Sequence, residues 1–104
     1  MRTFAVDGLS EVRVVAPVST VCPFDHEADR SVLTITYRPT TRCVELSCLH
    51  GYLDGYAVEE ISHEALVGRV RADLAKTLAP AWITVEDVFS YHDTTLAVRS
   101  GERP

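Results

Sequence analysis

A regular stripe of aliphatic residues before Pro80 is the feature that most restricts the fold of this chain. Its members recur at four-residue intervals: Leu66, Val70, Leu74 and Leu78. This spacing places side chains on one face of an α-helix. Ser62 is a suitable N-cap, Glu64 falls in the first turn, and Pro80 ends the run. The sequence therefore predicts an amphipathic helix that begins at Ser62 and must bury its stripe against another layer.

Two pairs of predicted strands flank this helix. Apolar and polar residues alternate in 11–19, in 31–39, in 82–93 and in 94–100. Such alternation indicates strands with one buried face, and a turn near His92 and Asp93 joins the last two. A shorter helix over 45–56 carries apolar residues at spacings of three and four. The order ββααββ predicts an α+β domain, with a four-stranded antiparallel sheet and two helices on one face.

Length and charge restrict the partners of this domain. A chain of 104 residues with no linker or repeat is expected to form one domain over 1–104. Its 10 basic and 15 acidic residues give a net charge of −5, so nucleic acid is not expected as a partner. No apolar run approaches the roughly 20 residues that cross a bilayer, and no leader is evident, so a cytoplasmic protein is expected. The open sheet face predicts a homo-oligomer with ligand pockets between subunits.

A polar stretch after the first strand carries the residues with the clearest chemical meaning. In TVCPFDHEADRSV, Cys22 precedes a proline and Asp29 follows seven positions later, while ISHE places His63 and Glu64 at the start of the long helix. These motifs, together with Glu45 in CVELSCLHGYL, resemble in order and spacing the 7-cyano-7-deazaguanine reductase family. The resemblance covers roughly residues 18 to 90 and implies the tunnel fold, in which subunits assemble into an oligomeric barrel.

The resemblance also implies a role for each of these residues. Cys22 is then the covalent nucleophile and Asp29 the proton donor and acceptor, while Glu64, His63 and Glu45 bind a deazapurine substrate. The chemistry independently favours these residue types. A nitrile carbon is a modest electrophile that suits a thiolate, and its nitrogen must be protonated as the sulfur adds. A carboxylate facing two N–H donors suits a guanine-like edge.

The chain departs from the family in the segment that resembles a nicotinamide-binding motif. Ser47 and His50 replace two lysines of that motif, and those lysines suit the phosphates of NADPH. We therefore expect no cofactor and an ammonia co-substrate, which gives an amidine of the archaeosine type. The runner-up is an NADPH-dependent reductase that gives the aminomethyl product, in which Arg38 and Arg42 replace the lost charges. Whether the substrate is a free base or is carried on nucleic acid, and whether it is the 7-cyano or a 7-carboxy compound, stays open.

Simpler structural roles compete with each catalytic one. Cys22 could be a small packing residue, Asp29 a turn residue, and Glu64 a complement to the helix dipole. His63 could be an ordinary polar residue of the first turn. In that case the protein is a non-catalytic module that binds a deazapurine or a pterin.

The remaining cysteines and histidines raise two further alternatives. Cys43 and Cys48 are expected to pack, although Cys48 could form a reversible disulfide with Cys22. Zinc could in principle use Cys22 with His26, or Cys48 with His50. No pair has a familiar zinc spacing, and residues two apart on a helix point away from each other. No metal is therefore expected.

Overall fold

The alternating strands and the long amphipathic helix all appear in the computed structural model, which describes all 104 residues. The strands are β1 (Thr3–Ala5), β2 (Val12–Val21), β3 (Ala28–Arg38), β4 (Arg42–Val44), β5 (Trp82–Tyr91) and β6 (Thr94–Ser100). The helices are α1 (Leu46–Asp54), followed by a 3-10 turn (Gly55–Val58), and α2 (His63–Leu78). The predicted α+β class is confirmed.

The long strands form one antiparallel sheet in the order β2-β3-β5-β6. Strand β3 begins three residues earlier than the alternation indicated, at Ala28, because it pairs with β2 as far as Val21. The predicted turn at His92 and Asp93 is confirmed, since β5 ends at Tyr91 and β6 begins at Thr94. Strands β2 and β6 are the two edges of this sheet.

Both helices pack on the same face of the sheet. Aliphatic residues of α1 and α2, among them Leu53 and Leu74, join Leu33 and Ile35 of β3 in a single buried cluster. The N-cap prediction for α2 is confirmed, because the Ser62 hydroxyl accepts a hydrogen bond from the Ala65 N–H at 3.1 Å. No helix is both long and apolar enough to cross a membrane.

A second, two-stranded ribbon was not predicted. Strands β1 and β4 pair from Thr3 with Val44 to Ala5 with Arg42. Each strand has three residues, too few for a two-residue periodicity to be recognised. The ribbon fixes the chain just before α1, since the Glu45 N–H donates to the Arg2 carbonyl at 2.9 Å.

Candidate active site

Cys22 lies at the end of β2, in a short loop that is held by its own hydrogen bonds. Its N–H donates to the Glu27 carbonyl at 2.9 Å, and its carbonyl accepts from the His26 N–H at 3.0 Å. His26 adopts a left-handed conformation with φ 61°, which closes the turn. The side chain of Asp25 accepts from the Glu27 N–H at 3.0 Å. These contacts hold the thiol of Cys22 in a defined place, half-buried at the edge of the sheet.

Asp25 is a loop residue whose importance sequence reasoning missed. Its pKa is lowered first by the hydrogen bond from the Glu27 N–H and next by one from the Cys22 thiol. A carboxylate beside the thiol can accept its proton. Its place in the loop, three residues after Cys22, was the only signal in the sequence.

Two contacts join the Cys22 loop to the segment that precedes α2. Val21 forms a parallel bridge with Glu60, and the Ile61 N–H donates to the Val21 carbonyl at 3.1 Å. On the outer side, His26 Nδ1 lies 2.5 Å from a carboxylate oxygen of Glu60. The start of α2 is therefore placed directly beside Cys22, although forty residues separate them.

A pocket of about 230 Å³ forms where the loop meets α2 and the end of β5. It is lined by Cys22, Pro23, Phe24, Asp29, Ile61, Ser62, His63, Glu64, Phe89, Tyr91 and Leu96. The structure thus brings together four of the five predicted site residues. Two aromatic rings at this pocket remain open to solvent, since Phe24 is 85% exposed and Tyr91 56% exposed. They offer flat apolar surface to a ring-shaped ligand.

His63 is the centre of a hydrogen-bonded chain beneath the pocket. Its Nε2 lies 3.1 Å from Oδ2 of Asp29, and its Nδ1 lies 2.6 Å from Oδ2 of Asp87. The imidazole stacks on Phe89 with 4.3 Å between ring centroids. His63 is buried, so its two carboxylate partners, and not water, determine which of its ring nitrogens carries a proton.

Asp87 is the second residue that sequence reasoning missed. It lies on the inward-facing row of β5, where its neighbours two positions away are Val85 and Phe89. Its side chain is buried, at 1% exposure. An aspartate at a position where the alternation demands an apolar residue was an available signal.

Glu64 faces the pocket with no partner in the chain. No hydrogen bond or ion pair engages its side chain, although it lies in the first turn of α2. Ser62 already caps this helix. The carboxylate of Glu64 is therefore free to meet a ligand.

Glu45 is the predicted site residue that the structure keeps away from this pocket. It is the N-cap of α1, and its two carboxylate oxygens accept hydrogen bonds from the Ser47 and Cys48 N–H groups at 2.9 and 3.0 Å. The pKa of Glu45 is lowered to about 2, chiefly by a hydrogen bond from the Ser47 hydroxyl and further by these N–H groups. Within one subunit Glu45 has a capping role, because the first N–H groups of a helix need acceptors.

Ser47 and His50, which replace the family lysines, face a different region. They line an apolar groove of about 420 Å³ between α1 and β2, and the groove has no Lys or Arg side chain. The Arg42 guanidinium instead donates to the Thr3 hydroxyl at 2.6 Å, and Arg38 lines no pocket. Arg30 is the cation beside α1, in a small depression that it shares with His50.

The geometry of the cysteines and histidines bears on the zinc alternative. No group of three or more potential ligands is close enough to hold an ion. All three cysteines are unpaired, and Cys48 does not line the pocket of Cys22.

The sequence of this chain is similar to those of known proteins. Residues 28–100 match a family described as QueF-like protein. The chain is 38% identical over 98 residues to the NADPH-dependent 7-cyano-7-deazaguanine reductase of Anaeromyxobacter sp. (strain K), across 90% of this chain and 80% of that protein. It is 36% identical over 81 residues to a protein of the same name from Parasynechococcus marenigrum (strain WH8102), across 77% of this chain and 61% of that protein.

A solved structure shares the fold. The archaeosine synthase QueF-Like in the apo form superimposes with a TM-score of 0.87, over 91% of this chain and 95% of that one. The sequence identity of the pair is 21%, so this likeness concerns the fold alone.

Proposed function

This chain belongs to the 7-cyano-7-deazaguanine reductase family, which includes the QueF-like proteins, and from that premise we propose that it converts the nitrile of 7-cyano-7-deazaguanine to an amidine through a thioimide on Cys22. One observation carries the proposal. The thiol, an acid, an imidazole and an unpaired carboxylate line one pocket, namely Cys22, Asp29, His63 and Glu64.

The first step is addition of the Cys22 thiol across the carbon–nitrogen triple bond. The S–H bond breaks and a C–S bond forms, while Asp29 gives its proton to the nitrile nitrogen as an N–H bond forms. The thiol proton then restores the acid, so the step needs no outside proton. Asp25, three residues after Cys22 in the same loop, is a second carboxylate that could take that proton.

Glu64 recognises the substrate in this proposal. A deazaguanine carries a ring N–H and an amino group on one edge, and a carboxylate can accept from both. The exposed rings of Phe24 and Tyr91 cover the faces of the base. A partner subunit is expected to complete this site, because the pocket of one subunit is open.

Ammonia is the second substrate in the favoured reaction. It adds to the thioimide carbon, the C–S bond breaks, and the Cys22 thiol is regenerated as the amidine leaves. The apolar groove beside α1 supports this choice, because Ser47 and His50 supply no fixed positive charge where the family motif has lysines. Each charged phosphate contact is worth about 1.5–3 kcal/mol, so loss of two would weaken NADPH by roughly a hundredfold or more.

Reduction to the aminomethyl product is the second candidate function. The names of the relatives favour it, since those that match across most of this chain are called NADPH-dependent reductases. In that case Arg30 is the side chain best placed to hold a cofactor phosphate near α1, since it shares a depression with His50. The Arg42 guanidinium instead donates to Thr3, and Arg38 lines no pocket.

A product assay separates the two reactions. Enzyme given the nitrile with an ammonium salt should yield the amidine, faster as pH rises and free ammonia accumulates. Enzyme given the nitrile with NADPH should leave the absorbance of the cofactor unchanged. Steady loss of that absorbance with formation of the aminomethyl product would overturn the amidine assignment. Tight binding of the nitrile without turnover or adduct would show a binding module instead.

A further inference from the structure

We propose that Asp87 is a positioning residue that holds a proton on Nδ1 of His63. With Nδ1 protonated, Nε2 of His63 can share a second proton with Asp29, which keeps that acid able to donate. The inference rests on the proposed function, because it concerns the acid that protonates the nitrile nitrogen. It is carried by the geometry of three side chains on three elements: Asp29 on β3, His63 on α2 and Asp87 on β5.

The surroundings of Asp87 leave His63 as its one partner. Oδ2 lies 2.6 Å from His63 Nδ1, while Oδ1 is buried and makes no hydrogen bond. A buried carboxylate without partners is costly, and a hydrogen bond to it is stronger than one between neutral groups. Nδ1 of His63 therefore carries a proton that it donates to Asp87.

This proton determines what the other nitrogen of His63 can do. With Nδ1 protonated, Nε2 either accepts from a protonated Asp29 or, in the imidazolium, donates to the Asp29 carboxylate. Both arrangements store one transferable proton between Nε2 and Oδ2 of Asp29, 3.1 Å apart. The stacked ring of Phe89 keeps the imidazole plane fixed.

The stored proton serves the addition step directly. When the nitrile nitrogen takes a proton from Asp29, the pair of Asp29 and His63 is left one proton short. The proton that leaves the Cys22 thiol replaces it, so the charge of the pair is restored. The other ionisable groups that line this pocket are Cys22, Glu64 and Tyr91. None of them forms a hydrogen bond with His63.

Asp87→Asn is the variant that tests this role with the least change of shape. The amide of asparagine can donate to Nδ1, which moves the imidazole proton to Nε2. Nε2 then donates to Asp29 and holds it as a carboxylate. An acid that cannot give a proton loses its contribution to the rate, as when a histidine takes the wrong tautomer in a hydrolase triad.

The first measurement is 15N NMR of the histidine rings in the ligand-free protein. Wild type should show His63 protonated at Nδ1, and Asp87→Asn should show the neutral ring protonated at Nε2. An unprotonated Nδ1 in wild type would overturn the inference. This measurement uses only the wild-type protein, so it does not depend on whether a variant folds. An unchanged tautomer in Asp87→Asn would overturn it too.

The second measurement is the rate of adduct formation on Cys22 with 7-cyano-7-deazaguanine, followed by mass. Asp87→Asn should slow it by about 100-fold or more, the lower range of a general acid. Ser31→Ala is the matched control, since it removes another buried polar group without a partner. The control should keep the rate of wild type. Equal slowing in both variants would assign the effect to packing and contradict the inference.

A double-variant cycle shows whether Asp87 acts through His63. In a His63→Gln background, the further change Asp87→Asn should have little effect on the rate. If the two residues act independently, the rate reductions of the single variants will multiply in the double variant, and this result would contradict the inference. Failure of wild type to form any adduct would contradict the proposed function, while the NMR experiment would still decide the role of Asp87.

Discussion

The imidazole of His63 lies flat against the ring of Phe89, with an angle of 19° between the two planes. His63 is the first residue of α2 and Phe89 belongs to β5, so this contact joins the helix to the sheet at the pocket. The packing that stabilises the fold therefore also orients a side chain of the site.

Phe89→Leu should loosen this contact while preserving an apolar side chain. An aromatic pair contributes about 0.5–1.5 kcal/mol beyond its buried area, so we expect a loss of about 1 kcal/mol in the free energy of unfolding in urea. The NMR signals of His63 should shift as well. Tyr91→Leu, on the same strand but not stacked on His63, is the control. Unchanged stability and unchanged His63 signals in Phe89→Leu would contradict the role of the contact.

Glu64→Gln should weaken binding of the substrate without disturbing the fold. The carboxylate has no partner in the chain, and a hydrogen bond to a charged group is worth about 1.5–3 kcal/mol. Titration calorimetry in a Cys22→Ala background, where no adduct forms, measures this loss. Glu60→Gln alters a nearby carboxylate that does not line the pocket and should bind normally. Equal affinity of the Glu64 and Glu60 variants would place recognition elsewhere.

Glu45 should contribute to stability in a pH-dependent way. Its pKa is depressed to about 2 from 4.5 in the folded chain, so its contribution is present above about pH 4.5 and is lost as pH falls through the folded value. Urea unfolding between these pH values should show a decline that Glu45→Gln makes shallower. The variant should bind the nitrile normally, because the carboxylate caps α1. Weakened binding would instead indicate that Glu45 reaches a substrate site, as the family resemblance implies.

The protein should assemble into a multiple-subunit ring or stack. Both edge strands, β2 and β6, lack a neighbour, and Val15 and Val32 are 62% and 45% exposed. An open pocket rimmed by Phe24 also requires a cover. Sedimentation velocity should therefore give a mass of several chains. A monomer that forms the Cys22 adduct at full rate would contradict this expectation.

Local patterns were sufficient to predict most of the fold. Four strands and two helices follow from periodicity and from caps such as Ser62, because these signals depend on residues close in sequence. The ribbon of β1 and β4 could not be predicted, because three-residue strands carry no periodic signal.

The site was only partly predictable. Cys22, Asp29, His63 and Glu64 came from motifs, but their meeting depends on the long-range bridge between Val21 and the segment before α2. Periodicity does not specify such a bridge. Asp87 could have been noticed as an acidic residue in the apolar, inward-facing row of β5. That His63 is its partner could not have been predicted from the sequence. Glu45 also came from a motif, and within one subunit its side chain caps α1 and does not line this pocket.

The central claim is that Cys22 captures the nitrile, and the mass of the intact protein after incubation with 7-cyano-7-deazaguanine tests it most directly. We predict an increase equal to one ligand, located on Cys22 by peptide mapping. The adduct should be absent in Cys22→Ala and retained in Cys48→Ala, whose thiol lies outside the pocket. No increase in mass, or an adduct on Cys43 or Cys48, would contradict the account.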